Sequence, residues 1–110
     1  RVHLVTQATD MSCREAEQLA RALRAKVGIE PACLWVNRAP LPPPAASSIA
    51  DLSGDGAAAY VAAGAVEQRR ADRVAEAAAV IGLPAREIGE YDLEGTALID
   101  QVAAAVEGWR

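Results

Sequence analysis

The 110-residue sequence predicts a single α/β unit, a three-stranded parallel sheet fragment with flanking helices. Three observations carry that expectation. Short apolar runs rich in β-branched residues alternate with longer stretches whose apolar residues recur at helical spacing. The first strand-helix-strand alternation closes within residues 1–38. That is the length of a βαβ unit, whose right-handed crossover makes its two strands parallel. The full order, β-α-β-loop-α-β-α, is that of a sheet with helices on its faces.

Val2 to Thr6 (V-H-L-V-T) reads as a buried strand. Ser12 and Glu15 then match the S-x-x-E capping box, in which each side chain satisfies the other's unpaired backbone donor. Ala16, Leu19, Ala20, Leu23 and Val27 form one apolar helix face, and Gly28 stands where helices end in a left-handed residue. Pro31 introduces a second strand, Ala32 to Val36 (A-C-L-W-V), ending in Asn37 and Arg38.

Residues 39–56 read as a Pro/Ser/Gly-rich surface loop. Its consecutive prolines, Pro42 to Pro44, favour extended polyproline geometry. A helix-strand-helix set fills 57–110. Its alanine-rich helix runs from Ala57 to Ile81 with Val74, Ala78 and Ile81 at core spacing and Gly64 as a candidate break. Gly82, Leu83 and Pro84 stop that helix, a short strand covers Ala85 to Ile88, and an acidic loop leads to Gly95. The last helix, Thr96 to Trp109, is expected to bury Leu98, Val102, Val106 and Trp109.

Composition restricts both core and partners. Hydrophobic residues make up 52% of the chain, about half of them alanine, and there is no Phe. Alanine buries little area, so at about 25 cal/mol per Å² the core stabilises weakly. A three-stranded parallel sheet also leaves two edges open, so further strands are expected from outside this segment. Eleven Lys and Arg against fifteen Asp and Glu give a net charge of −4, which disfavours nucleic acid as a partner. Arg69, Arg70 and Arg73 alternate with Glu67, Asp72 and Glu76 and read as a solvated helix face. No apolar run is long enough to span a bilayer, and Cys13 and Cys33 are spaced like ordinary reduced thiols. The expectation is a cytoplasmic protein that meets membranes only through a partner protein. The chain opens on Arg1, which suggests a piece of something longer.

The search for chemistry is mostly negative. The chain has no glycine-rich phosphate loop, dinucleotide fingerprint, nucleophile elbow or zinc-protease motif. His3, inside the first strand, is either a satisfied structural histidine or a base. Cys13 lies near a helix N-terminus but has no neighbouring His or second Cys, and reads as a structural thiol. Glu87, Glu90, Asp92 and Glu94 cluster around the third strand's end as a solvated acidic loop without metal-ligand spacing. What remains is geometry, because ligands of open parallel sheets bind beyond the strands' carboxyl ends. Those ends are Thr6–Gln7, Asn37–Arg38 and Ile88–Glu90. Asn37 offers amide donors and an acceptor to a purine edge; alternatively it ends its strand by bonding local backbone.

One stretch adds a family resemblance. Thr6 to Leu19, T-Q-A-T-D-M-S-C-R-E-A-E-Q-L, resembles the segment T-x-P-E-x-M-x-V-R-E-T-x-x-L of arsenite-pump-type, anion-transporting ATPases and their relatives that target tail-anchored membrane proteins. Thr6, Met11, Arg14, Glu15 and Leu19 match, whereas Ala8, Thr9 and Ala16 depart. Gly28 followed by L-W-V-N-R, Leu34 to Arg38, resembles the family's V-N-R or V-N-Q strand, and Asp92 to Gly95 (D-L-E-G) loosely resembles its E-x-x-G. The region where the tail-anchored branch carries a zinc-binding C-x-x-C is proline-rich and cysteine-free here.

The resemblance implies the C-terminal part of a deviant P-loop NTPase fold, of a class that forms dimers. It further implies ATP as cofactor, with magnesium and the phosphates held by an upstream P-loop half. Asn37 and Arg38 would contact adenine, flanked by Ile88, Gly89, Glu90, Tyr91 and Asp92. The segment alone would be inactive. An interaction module that keeps the ATPase topology without its catalysis is the alternative.

Overall fold

The computed structural model describes residues 1–39, 54–89 and 93–108. It is an α/β fold, as the alternation of segments predicts. Strand β1 (His3–Gln7) leads into helix α1 (Asp10–Ala22), whose end widens into one π-helical turn, Leu23–Val27. Strand β2 (Cys33–Ala39), helix α2 (Asp55–Ile81), strand β3 (Ala85–Gly89) and helix α3 (Gly95–Glu107) follow. The three strands form one parallel sheet in the order β1-β2-β3. Successive right-handed crossovers in that order place α1 and α2 on the same face.

Two buried clusters join this face to its helices. Leu4 and Leu34 pack with Ala16, Ala20 and Ile81, while Val36 and Ala39 pack with Ala8, Cys13, Val74 and Ala77. Half of the helix residues in these clusters, Ala16, Ala20 and Ala77, are alanine, which lets α1 and α2 approach the sheet closely. Leu19 and Val27 depart from expectation, at 51% and 61% exposure. Ala16 and Ala20 meet the sheet instead, so Leu19 is rotated to the outer side of α1, beside β1, an edge strand of the sheet among the described residues.

The helix termini show which local signals prevailed. The cap of α1 is Thr9, whose Oγ1 accepts a hydrogen bond from the Ser12 N–H at 3.3 Å. The Ser12–Glu15 capping box therefore does not form, and Ser12 lies in the first turn. The chain folds back as soon as β1 ends, with the Thr9 N–H on the Gln7 carbonyl at 2.8 Å, so Thr9 reaches the cap position first. Gly28 ends the following π turn with φ 68°, as expected. α2 runs unbroken through Gly64 from Asp55 to Ile81, where Gly82 adopts φ 75° and its N–H bonds the Ala78 carbonyl at 2.8 Å. One interior glycine costs about 1 kcal/mol, too little to break a helix packed elsewhere along its length.

α3 forms but buries none of its residues completely; Leu98 and Val102 are half-buried and Val106 is exposed. The expected proline-rich loop and Trp109 fall largely outside the described residues, although Ala39 belongs to β2 and Asp55 and Gly56 to α2. No helix among the described residues is long and apolar enough to cross a membrane.

Candidate functional site at the strand carboxyl ends

Strand alternation divides the sheet into two unlike faces. Leu4, Thr6, Leu34 and Val36 point toward α1 and α2 and are buried. His3, Val5, Gln7, Trp35 and Asn37 occupy the other face, and the register aligns Gln7 with Asn37 and Asn37 with Ile88. The three predicted carboxyl ends therefore lie side by side. Asn37, on the central strand, is exposed between them.

A groove of about 510 Å³ runs over this second face, lined by His3, Val5, Trp35, Asn37 and Ile88 and rimmed by Val106 of α3. A second cavity, of about 420 Å³, opens at the β1 edge and shares Val5 and Asn37 with the first. Its other walls include Gln7, Ser12, Glu15 and Leu19. In the main groove the Trp35 Nε1–H donates to His3 Nδ1 at 3.0 Å. The imidazole thus spends that nitrogen as a structural acceptor, in keeping with the satisfied-histidine alternative.

The end of β2 is irregular. Asn37 pairs with Ile88 and Ala39 with Gly89, leaving Arg38 as the extra residue of a bulge, in left-handed conformation at φ 56°. In an unbroken strand Arg38 would point toward the helix-side core and Ala39 away from it. The bulge reverses this: Ala39 is buried beside Ala8 and Val36, and Arg38 is exposed.

Arg70 of α2 braces that end. Its Nε–H donates to the Ala8 carbonyl at 3.4 Å, its Nη2–H to the Arg38 carbonyl at 3.2 Å, and its Nη1–H to the Glu67 carboxylate at 3.1 and 3.2 Å. Arg73 binds Glu17 at 2.9 Å, Asp10 at 3.2 Å and Glu76 at 3.4 Å, tying α2 to α1. The expected solvated basic face is thus corrected for these two arginines. A signal was present: Arg70, Val74, Ala77 and Ile81 fall on one helical stripe, so Arg70 extends the buried side of α2 toward the sheet's end.

Both thiols are buried, and burial pushes each above the ordinary thiol range, although Arg73 pulls Cys13 the other way. Cys13 Sγ–H meets the Gln7 carbonyl at 3.6 Å and Cys33 Sγ–H the Pro84 carbonyl at 3.3 Å. Neither is poised as a nucleophile, in line with the structural reading of Cys13.

Of the residues the resemblance assigns to adenine, Asn37 and Arg38 are exposed at the end of β2, and Ile88 and Gly89 are half-buried at the end of β3. Glu90, Tyr91 and Asp92 lie outside the described residues. Glu87 and Glu94 of the acidic cluster are exposed, and no three metal-ligating side chains converge among the described residues. Val5 and Trp35, which sequence reasoning did not assign to the site, supply its apolar floor. The groove thus has an apolar floor with the Asn37 amide at its end. No protein-family model matches the chain, and no curated protein matches it.

Proposed function

We propose that this chain is the C-terminal segment of an arsenite-pump-like, anion-transporting ATPase, contributing adenine recognition and packing rather than hydrolysis. The observation that carries the reading is the exposed Asn37 amide, aligned with Gln7 and Ile88 at the carboxyl ends of a parallel sheet. Its donors and acceptor suit a purine edge, and Val5, Trp35 and Ile88 offer the ring apolar contact. ATP supplies the phosphoryl group, and its phosphates and magnesium belong to an upstream P-loop half, which is the principal partner. In this reading the ATPase works in the cytoplasm, a second copy completes a homodimer, and a partner protein provides any membrane contact.

Determining the encoded sequence upstream of Arg1 tests the reading. A G-K-[S/T] loop following a strand supports it; a continuous upstream domain without one contradicts it. The 110-residue chain by itself should show no ATP hydrolysis above background, and magnesium-dependent turnover by the purified segment would also contradict it.

A non-catalytic interaction module is the second reading. It is favoured by the half-exposed apolar face bearing Val5 and Ile88 and by the open β1 edge flanked by Leu19. These surfaces would then meet a protein partner, and Asn37 would serve only its strand.

A further inference from the structure

We infer that Arg70 is the positioning residue of the Asn37–Arg38 strand end. Where it concerns nucleotide, this inference rests on the base-recognition reading above; where it concerns the strand end itself, it does not. The bulge that buries Ala39 and turns Arg38 outward needs Arg38 at φ 56°, a conformation unfavourable for any residue with a Cβ. Something outside the strand must hold it there. Arg70 spans both strand ends, bonded to the Ala8 and Arg38 carbonyls at once. Those carbonyls follow β1 and sit within the β2 bulge, so the guanidinium sets the spacing of two carboxyl ends.

Glu67, one turn earlier on α2, holds the third edge of the same planar group and so fixes its orientation. Val74, one turn later, is buried beneath it against Ala8 and Ala39. The plane of Arg70 is thereby anchored from its own helix while its outer edge grips the strands. Lysine carries the same charge but is a point donor without a fixed fork, and cannot reproduce this geometry. The consequence for the site is direct: Asn37, which faces the groove by regular alternation, is the residue immediately before the bulge, and the bulge fixes the backbone on its carboxyl side.

The experiment compares Arg70→Lys, Arg70→Gln and Val74→Ala by heteronuclear NMR of the 110-residue chain. Val74→Ala loosens the same core without touching either carbonyl. Both Arg70 variants should move the amide resonances of Ala8 and of residues 37–39, and should erase the left-handed carbon-shift signature of Arg38. Val74→Ala should lower Tm while leaving that signature in place. If Arg70→Gln fails to fold, Arg70→Lys decides. An unchanged Arg38 signature in the folded Arg70 variant, or its equal loss in Val74→Ala, overturns the inference.

In the protein with its upstream part, Arg70→Lys should weaken ATP binding about tenfold, the scale of one misdirected buried hydrogen bond. Combined with Asn37→Ala it should cost no more than Asn37→Ala alone, because both changes act through one side chain. Full additivity would overturn the positioning role. Absence of ATP binding in the unsubstituted protein would overturn base recognition, while the NMR comparison would still decide the role of Arg70.

Discussion

Cys13 and Cys33 show how burial at single residues governs chemistry. Both are fully buried, and desolvation raises both thiols. Because the folded chain disfavours their thiolates, the stability they contribute is fully present below the unfolded thiol value, about 8.5. It is lost as pH rises from there through the raised folded values. Thermal unfolding should therefore show a falling Tm above about pH 8.5 that Cys13→Ala with Cys33→Ala flattens. A thiol reagent at neutral pH should modify neither residue until denaturant is added; rapid modification of the folded chain would contradict the burial. Thr9 and Ser12 mark the limit of reading single residues from sequence. Both are capping types, and only the tightness of the turn after Gln7, a backbone property, selects Thr9. The bulge at Arg38 was equally illegible, since no glycine or asparagine announces its positive φ.

At the scale of elements, β2 is the centre of the fold, with Cys33, Leu34, Trp35 and Val36 all buried. Leu34→Ala should cost about 2–5 kcal/mol, the range for truncating a buried leucine. A loss below about 1 kcal/mol in denaturant titration would mean that the core sits elsewhere. The α1–α2 contact depends on Arg73, whose side chain is 16% exposed between Glu17 and Asp10 of one helix and Glu76 of the other. Arg73→Ala should destabilise by about 1–2 kcal/mol, and salt should reduce the difference only partly, because the Glu17 partner is itself mostly covered. A variant as stable as the parent would show that the alanine packing alone holds the helices. Strand positions, their parallel direction and the glycine ends at Gly28 and Gly82 were legible from runs, spacing and terminators. The outward rotation of Leu19 was not, because a helical stripe is visible in sequence but the neighbour that selects its centre is not.

For the whole molecule, the helices are distributed unevenly. Among the described residues α1 and α2 cover one sheet face, whereas α3 lines the groove on the other through Val106. The Cα radius of gyration is 16.7 Å, against about 13 Å for a compact chain of this length. The grooved face, on which Trp35 is buried but Val5 is 68% exposed, should make the folded chain bind a hydrophobic dye such as ANS, and Val5→Thr should reduce the signal. No dye binding below the unfolding transition would show the face to be covered. The expectation of a narrow sheet needing neighbours follows from composition and strand number, whereas which face is open depends on crossover handedness and packing. That open face also carries the proposed base site, so fold and function meet at Asn37. The most direct test is Asn37→Ala in the proposed ATPase, this segment together with the P-loop half proposed above, measuring melting temperature and ATP and GTP affinity on the same sample. Adenine recognition predicts a loss of about 1–3 kcal/mol in ATP binding, with the preference over GTP relaxed and Tm nearly unchanged. A lowered Tm with unchanged ATP affinity and unchanged preference over GTP would contradict it.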